Sequence, residues 1–139
     1  MYFVLLVFAF FSISPAISTD WDPFKFYFTI TCRHHIKPYY WYSVQFLEED
    51  NFSTGEWITQ KYEEYFAAAT LFKTFEGAMN GDEILSIAYD VTAIFQHDCT
   101  ANGEKVEVQF EFQQKCELRK PCNMDYNADL TDKYGYYKV

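Results

Sequence analysis

The chain has no strongly basic field, no serine-nucleophile motif and no second long apolar run, and each absence narrows what it does. Eleven Lys and Arg stand against twenty Asp and Glu, for a formal charge of −9. Affinity for nucleic acid comes mostly from Lys and Arg neutralising phosphates, so scattered basic residues in an acidic chain exclude nucleic acid as a partner. Anionic membrane surfaces are disfavoured for the same reason, unless a local basic patch or a bridging calcium overrides the net field. Past the first eighteen residues serine occurs only as Ser43, Ser53 and Ser86, none in a Gly-x-Ser-x-Gly elbow. The pairs Glu48-Glu49 and Glu63-Glu64 lie in polar segments and read as solvated loop rather than an acid/base dyad. There is no Cys-x-x-Cys or His-x-His spacing, and the adjacent His34 and His35 of an extended chain point to opposite faces, so with His97 they make no metal set. No internal repeat or low-complexity linker is present. The expectation is a protein that is not an enzyme and holds no cofactor or metal.

What is present begins with a leader. Tyr2–Phe11 is apolar, Ser12–Pro15 breaks the run, and Ala16 and Ser18 are small residues at the −3 and −1 positions of a cleavage site, so residues 1–18 read as a signal peptide. A dozen or so apolar residues fall short of the roughly 20 that span a bilayer as a helix. No Lys or Arg precedes the run, which departs from the usual leader and leaves an uncleaved anchor as the alternative. The reading is a secreted, extracellular protein, not transmembrane, whose mature part, residues 19–139, forms one domain burying about two-thirds of its unfolded surface. Cys32, Cys99, Cys116 and Cys122 all lie in that part, and an even count in an oxidising compartment implies two disulfides. Asn51-Phe52-Ser53 is a glycosylation sequon. Aromatics make up 22% of the chain, enough for a β core with cross-strand ring pairs or for an exposed patch that meets a partner. Asp125-x-Asn127-x-Asp129 with Asp132 has the oxygen spacing of a calcium loop, but Leu130 and Tyr136 occupy the positions of its glycine and bidentate glutamate, so a solvated acidic turn is expected.

Alternation supplies the fold. Phe24, Phe26, Phe28, Ile30 and Cys32 alternate with Lys25, Tyr27, Thr29, Thr31 and Arg33, the period of a half-buried strand. Tyr40, Tyr42, Val44 and Phe46 alternate with Trp41, Ser43, Gln45 and Leu47 to give a second. Residues 48–51 read as an acidic loop closing at Gly55, before a short strand around Trp57–Lys61. In Tyr62–Thr70 Glu and Ala favour helix, so a turn of helix or an irregular link is expected. Leu71–Phe75 reads as a strand ending at Gly77, with a turn at Asn80-Gly81, and Ile84–His97 as a central strand with Ile87, Tyr89, Val91, Ala93 and Phe95 on one face. Asn102-Gly103 signals a hairpin leading into Val106, Val108, Phe110 and Phe112. One more strand near Cys122–Leu130 and a loose tail complete an all-β, antiparallel sandwich of about seven strands with at most one short helix. A two-residue hairpin loop puts Cys116 opposite Tyr89, about ten residues or roughly 34 Å from Cys99. A bridge needs Cα atoms within about 7 Å, which disfavours Cys99–Cys116 and leaves two pairings open, Cys32–Cys99 with Cys116–Cys122, or Cys32–Cys116 with Cys99–Cys122.

Phe72–Gly77, the Asp82-Glu83-Ile84-Leu85-Ser86-Ile87 step and Ile94-Phe95-Gln96-His97-Asp98-Cys99, in that order, resemble the nematode transthyretin-like family. Ile30-Thr31-Cys32, Val44–Asp50 and Asn127–Leu130 extend the likeness over roughly Phe24 to Leu130. An all-bulky first strand and a missing Cys-x-Arg step after Cys99 are its departures. The resemblance implies that the first strand and the His-Asp-Cys strand end together, hence Cys32–Cys99 across the sheets and Cys116–Cys122 around a small loop. It also implies a local hydrogen bond for His97. The functional expectation is a non-enzymatic binding protein acting outside cells or at cell surfaces, as adaptor, carrier or signalling ligand for a protein or lipid partner. The rivals are a symmetric oligomer carrying a small hydrophobic ligand and, less favoured, a hydrolase of the transthyretin fold.

Overall fold

A computed structural model describes residues 21–49, 55–67, 69–81 and 87–139. The leader, the Asn51 sequon and residues 82–86, which carry the start of the expected Ile84–His97 strand and part of the family resemblance, lie outside the described residues. The elements are β1 (Asp22–Thr31), β2 (Tyr40–Glu48), β3 (Glu56–Trp57), β4 (Tyr62–Phe66), β5 (Thr70–Met79), β6 (Ala88–Tyr89), β7 (Val91–His97), β8 (Val106–Glu111), β9 (Cys116–Glu117), β10 (Cys122–Asp129) and β11 (Gly135–Lys138), with no helix among the described residues. One sheet has the order β10-β1-β5. The larger runs β11-β8-β7-β2, with both β3 and β4 on the far side of β2, and β6 with β9 forms a small separate ladder. The protein is therefore an all-β sandwich.

The two sheets face each other through the alternating sets. Phe24, Phe26, Phe28 and Ile30 of β1 are buried, as are Val44 and Phe46 of β2 and Val91, Ala93 and Phe95 of β7. Phe26 stacks on Phe46 across the sheets with ring centroids 3.9 Å apart. Phe28 is ringed by five aromatics, from Phe46 at 5.4 Å to Phe112 at 6.1 Å.

Several expectations are corrected. Tyr62–Thr70 is neither helix nor irregular throughout, because Tyr62–Phe66 is strand β4, pairing antiparallel with β2. Phe66 turns inward to pack on Tyr40 and Tyr42. Burial of that alternating face outweighs the weak helix preference of Glu and Ala. Gly77 does not end a strand. β5 continues to Met79, and a side chain at Gly77 would sit 2.3 Å from the Ile58 carbonyl oxygen, so the glycine marks the close approach of the β3–β4 connection.

The hairpin also differs. The β7–β8 ladder closes at His97 opposite Val106, and the tight turn is Thr100–Gly103, with Gly103 N donating to Thr100 O at 3.0 Å and Gly103 at φ +73°. The central residues are thus Ala101 and Asn102, because the Asn102 side-chain oxygen accepts from Thr100 Oγ1 and Glu104 N. Extended onward, this ladder would bring Cys116 opposite Ile87. Instead β6 and β9 pair Tyr89 with Cys116, as the sequence predicts, and the change of register at Asp90 leaves Ile87 exposed rather than on the shared inner face. The tail is not loose. β11 pairs parallel with β8, Tyr137 packs on Phe110, and Val139 N donates to Glu111 O at 2.8 Å. β1 and β10 are likewise parallel.

Candidate functional site

At one end of the sandwich the structure joins residues that the sequence left scattered. Cys32 follows β1 and Cys99 follows β7, and their Cα atoms lie 5.8 Å apart across a disulfide that ties the two sheets together. Cys116–Cys122 closes the small loop, with Cα atoms 5.4 Å apart. His97, fully buried, accepts a hydrogen bond from Cys99 N at Nδ1 and donates from Nε2 to Lys133 O at 2.8 Å, which fixes a neutral imidazole. Asp132 accepts from His34 Nε2 at 2.9 Å and from Ala101 N at 2.7 Å, while its own N–H donates to Cys99 O. Asp98 accepts from Trp41 N and pairs with Lys37. These groups are committed to joining loops. His35 is exposed beside them, and the three histidines do not converge.

Burial holds the His97 imidazole below its ordinary pKa of 6.5, against the opposing pull of the Lys133 carbonyl, Asp98 and Asp132. The unfolded chain binds that proton more readily, so the stability His97 contributes is complete above pH 6.5 and is lost as pH falls toward the folded value. Urea midpoints measured at pH 7.5 and 5.5 are expected to fall toward acid. His97→Gln should flatten that change, and an unaltered slope would remove the histidine from the account.

The acidic motif is corrected from turn to strand. Asp125, Asn127 and Asp129 follow one another along the outer side of β10, opposite Tyr27, Thr29 and Thr31 of β1. Asp129 is taken by Thr131 and by an ion pair with Arg33 at 3.0 Å. The Glu63-Glu64 pair splits between faces, as alternation requires. Glu64 points inward, where Tyr42 donates to it at 2.5 Å and Lys73 pairs with it at 2.8 Å. Burial works against the Glu64 carboxylate, but the Lys73 and Tyr42 hydrogen bonds outweigh it and hold its pKa low. Burial, and then the Glu64 bond, pushes the Tyr42 phenol well up. Glu48 is buried and Glu49 is exposed, accepting from Thr92 Oγ1. Ser43 lies on the outer face of β2, and Ser53 and Ser86 are outside the described residues.

The outer faces hold what the sequence analysis did not assemble. On the smaller sheet Phe72 is 78% exposed and Tyr27 is 42% exposed. On the larger sheet the exposed rings are Trp57, Tyr65 and Tyr136, and Lys105 lies 3.9 Å over the ring of Trp41, which explains the burial of an outward-facing tryptophan. Beside Trp57 runs a groove of about 260 Å³ lined by Ser43, Val44, Gln45, Trp57, Lys61, Ile94, Gln96 and Glu107. Its floor comes from three adjacent strands, Ser43 opposite Gln96, Gln45 opposite Ile94, and Gln96 opposite Glu107. Trp57 enters from the edge, opposite Leu47. Gln109 and Gln96 each donate to one oxygen of Glu107, at 2.9 and 3.4 Å. Gln45 donates to Thr59 O. The groove presents hydroxyl, carboxamide, carboxylate and ammonium groups beside an indole. Alternation marked Ser43, Gln45 and Glu107 as outward, but no local signal told which strands were neighbours.

Among the described residues no helix is long and apolar enough to cross a membrane. Neither a curated protein nor a solved structure matches the chain significantly. A family described as Caenorhabditis elegans protein of unknown function (DUF870) matches residues 27–137, from the middle of β1 into β11. The expected nematode origin is thus met by a family whose description carries no transthyretin name, and the chain belongs to this Caenorhabditis elegans family of unknown function, DUF870.

Proposed function

We propose that the protein is a secreted, glycosylated, transthyretin-like binding protein that works without enzymatic chemistry, outside cells or at their surfaces. The observation that carries this reading is the placement of large aromatic side chains on the outer faces of a disulfide-tied sandwich whose core is already filled. Trp57 and Tyr65 are 51% and 69% exposed. Tryptophan and tyrosine are enriched where proteins meet their partners. Two disulfides suit an oxidising compartment. The Cys32–Cys99 bridge, at the shared end of the first strand and the His-Asp-Cys strand, accords with the transthyretin-like resemblance.

Expression of the full chain in a secreting eukaryotic host tests the reading. The expected product is found in the medium, begins near Thr19, carries a glycan on Asn51 and has no titratable thiol. Immobilised, it retains an extracellular component that a Trp57→Ser/Tyr65→Ser variant retains less. A chain held inside cells with free thiols, or a surface variant that retains everything the parent does, would overturn it.

A further inference from the structure

Trp57 forms one wall of the outer groove and is half exposed although it belongs to a paired strand. An indole face presents a diffuse negative quadrupole to which weakly polarised C–H groups are attracted. The rest of the lining is a hydroxyl, two carboxamides, one carboxylate and one ammonium, from Ser43, Gln45, Gln96, Glu107 and Lys61, with two aliphatic residues, Val44 and Ile94. Such polar groups accept and donate in pairs at fixed angles. Glu107 accepts from Gln109 at 2.9 Å and from Gln96 at 3.4 Å, one bond at each oxygen, which leaves lone pairs on both for a ligand. Ser43 is only 2% exposed, so the floor is a recess and not a bare sheet face.

This combination selects among ligands. An acyl chain laid in the groove would cover the carboxamides of Gln45 and Gln96 and the carboxylate of Glu107, and would offer their remaining lone pairs and N–H groups nothing in place of water. An anionic ligand meets Glu107 and a net charge of −9, against one lysine of the lining, Lys61. A protein partner needs about 800 Å² of contact on each side, far more than a recess of this size supplies by itself. A pyranose ring fits all of it. One face is C–H, and its rim carries neighbouring hydroxyls that bind carboxylate and carboxamide two at a time.

We propose that this groove binds a neutral hexose unit of a glycan, its C–H face against Trp57 and its hydroxyls on Glu107, Gln96, Gln45 and Ser43. The assignment deepens the extracellular binding reading and rests on it.

The test is an array of neutral, sialylated and sulfated oligosaccharides probed with the glycosylated, disulfide-intact protein and with Asn51→Gln, so that the protein's own glycan is not a competitor. Hits are then titrated by tryptophan fluorescence. Neutral hexose-bearing glycans are expected to bind, and sulfated ones to be rejected. Trp57→Ala should weaken the dissociation constant at least tenfold and Glu107→Gln several-fold. Trp57→Phe, which keeps a ring face, stays within about threefold of the parent, and Tyr39→Ala, in the β1–β2 loop, matches it. Circular dichroism of each variant confirms the fold. No neutral glycan bound at millimolar concentration, binding confined to sulfated glycans, or an unaffected Trp57→Ala would each overturn the assignment. If neutral glycans fail while the immobilised protein still retains another partner through Trp57 and Tyr65, the sugar assignment falls and the binding reading stands.

Discussion

Phe28→Ala is expected to destabilise the protein by about 4–5 kcal/mol, at the top of the range for deleting a buried phenylalanine. Phe28 is 2% exposed and contacts Phe46, Phe75, Phe95, Phe112 and Tyr126, rings drawn from both sheets and from the connection after β8. No single neighbour can swing into the space, because each is fixed by its own strand, so the cavity stays open. A domain of this size has about 5–15 kcal/mol in total, and the loss should lower the midpoint of thermal unfolding by well over ten degrees. Urea titration with an unchanged slope would assign the loss to the folded state. Phe72→Ala, at a side chain 78% exposed, should move stability by no more than about 0.5 kcal/mol. A small loss at Phe28 and a large one at Phe72 would mean that β1 and β5 present the opposite faces to the core, since a slip of one residue exchanges inside and outside.

That contrast was legible in the sequence because the period of β1 is unbroken from Phe24 to Ile30, and the burial follows it residue by residue. The strands β2, β7 and β8 were legible on the same ground. What local pattern could not supply was anything decided by a distant segment. Tyr62–Phe66 is strand because β2 offers it an edge, and Gly135–Lys138 is strand because β8 does. The shift between the β7–β8 and β6–β9 ladders depends on Asp90, whose carbonyl accepts from Glu49 N at the far end of β2. The groove fails to show in the sequence for the same reason. Ser43, Gln45, Gln96 and Glu107 each read as one more polar residue on a solvated face, and Trp57 as part of a short strand. Only the order β8-β7-β2-β3 makes them neighbours. His97 was the exception, since its motif placed it beside Cys99, where its ring now accepts from the Cys99 N–H.

Replacing Cys32 and Cys99 together by alanine is expected to cost about 4 kcal/mol, and replacing Cys116 and Cys122 about 2 kcal/mol, if the bridges act mainly by limiting the unfolded chain. The difference comes from loop length, since the bonded residues are 67 apart in sequence in the first case and 6 in the second. Closing a loop costs entropy that grows with the logarithm of its length, so the longer loop removes more freedom from the unfolded chain. Two further effects bear on the Cys32–Cys99 bond in the folded state. Its sulfurs are buried, so the alanine pair leaves a void, and loss of the bridge frees the segment whose backbone N–H holds His97 and whose carbonyl accepts from Asp132, although alanine keeps both groups. The cost at this pair should therefore exceed the entropic figure, and the fall in stability between pH 7.5 and 5.5 should become shallower as His97 gains access to water. Cys116 and Cys122 are buried too and leave their own void, but among the described residues His97 makes no hydrogen bond to them, and the pH response should be that of the parent. Urea midpoints of the two double variants, each with the other bridge intact, decide the matter. If the small-loop variant proves the less stable of the two, the sheets are held together by their aromatic interior alone, and the Cys32–Cys99 bridge is a consequence of that packing with little influence on it.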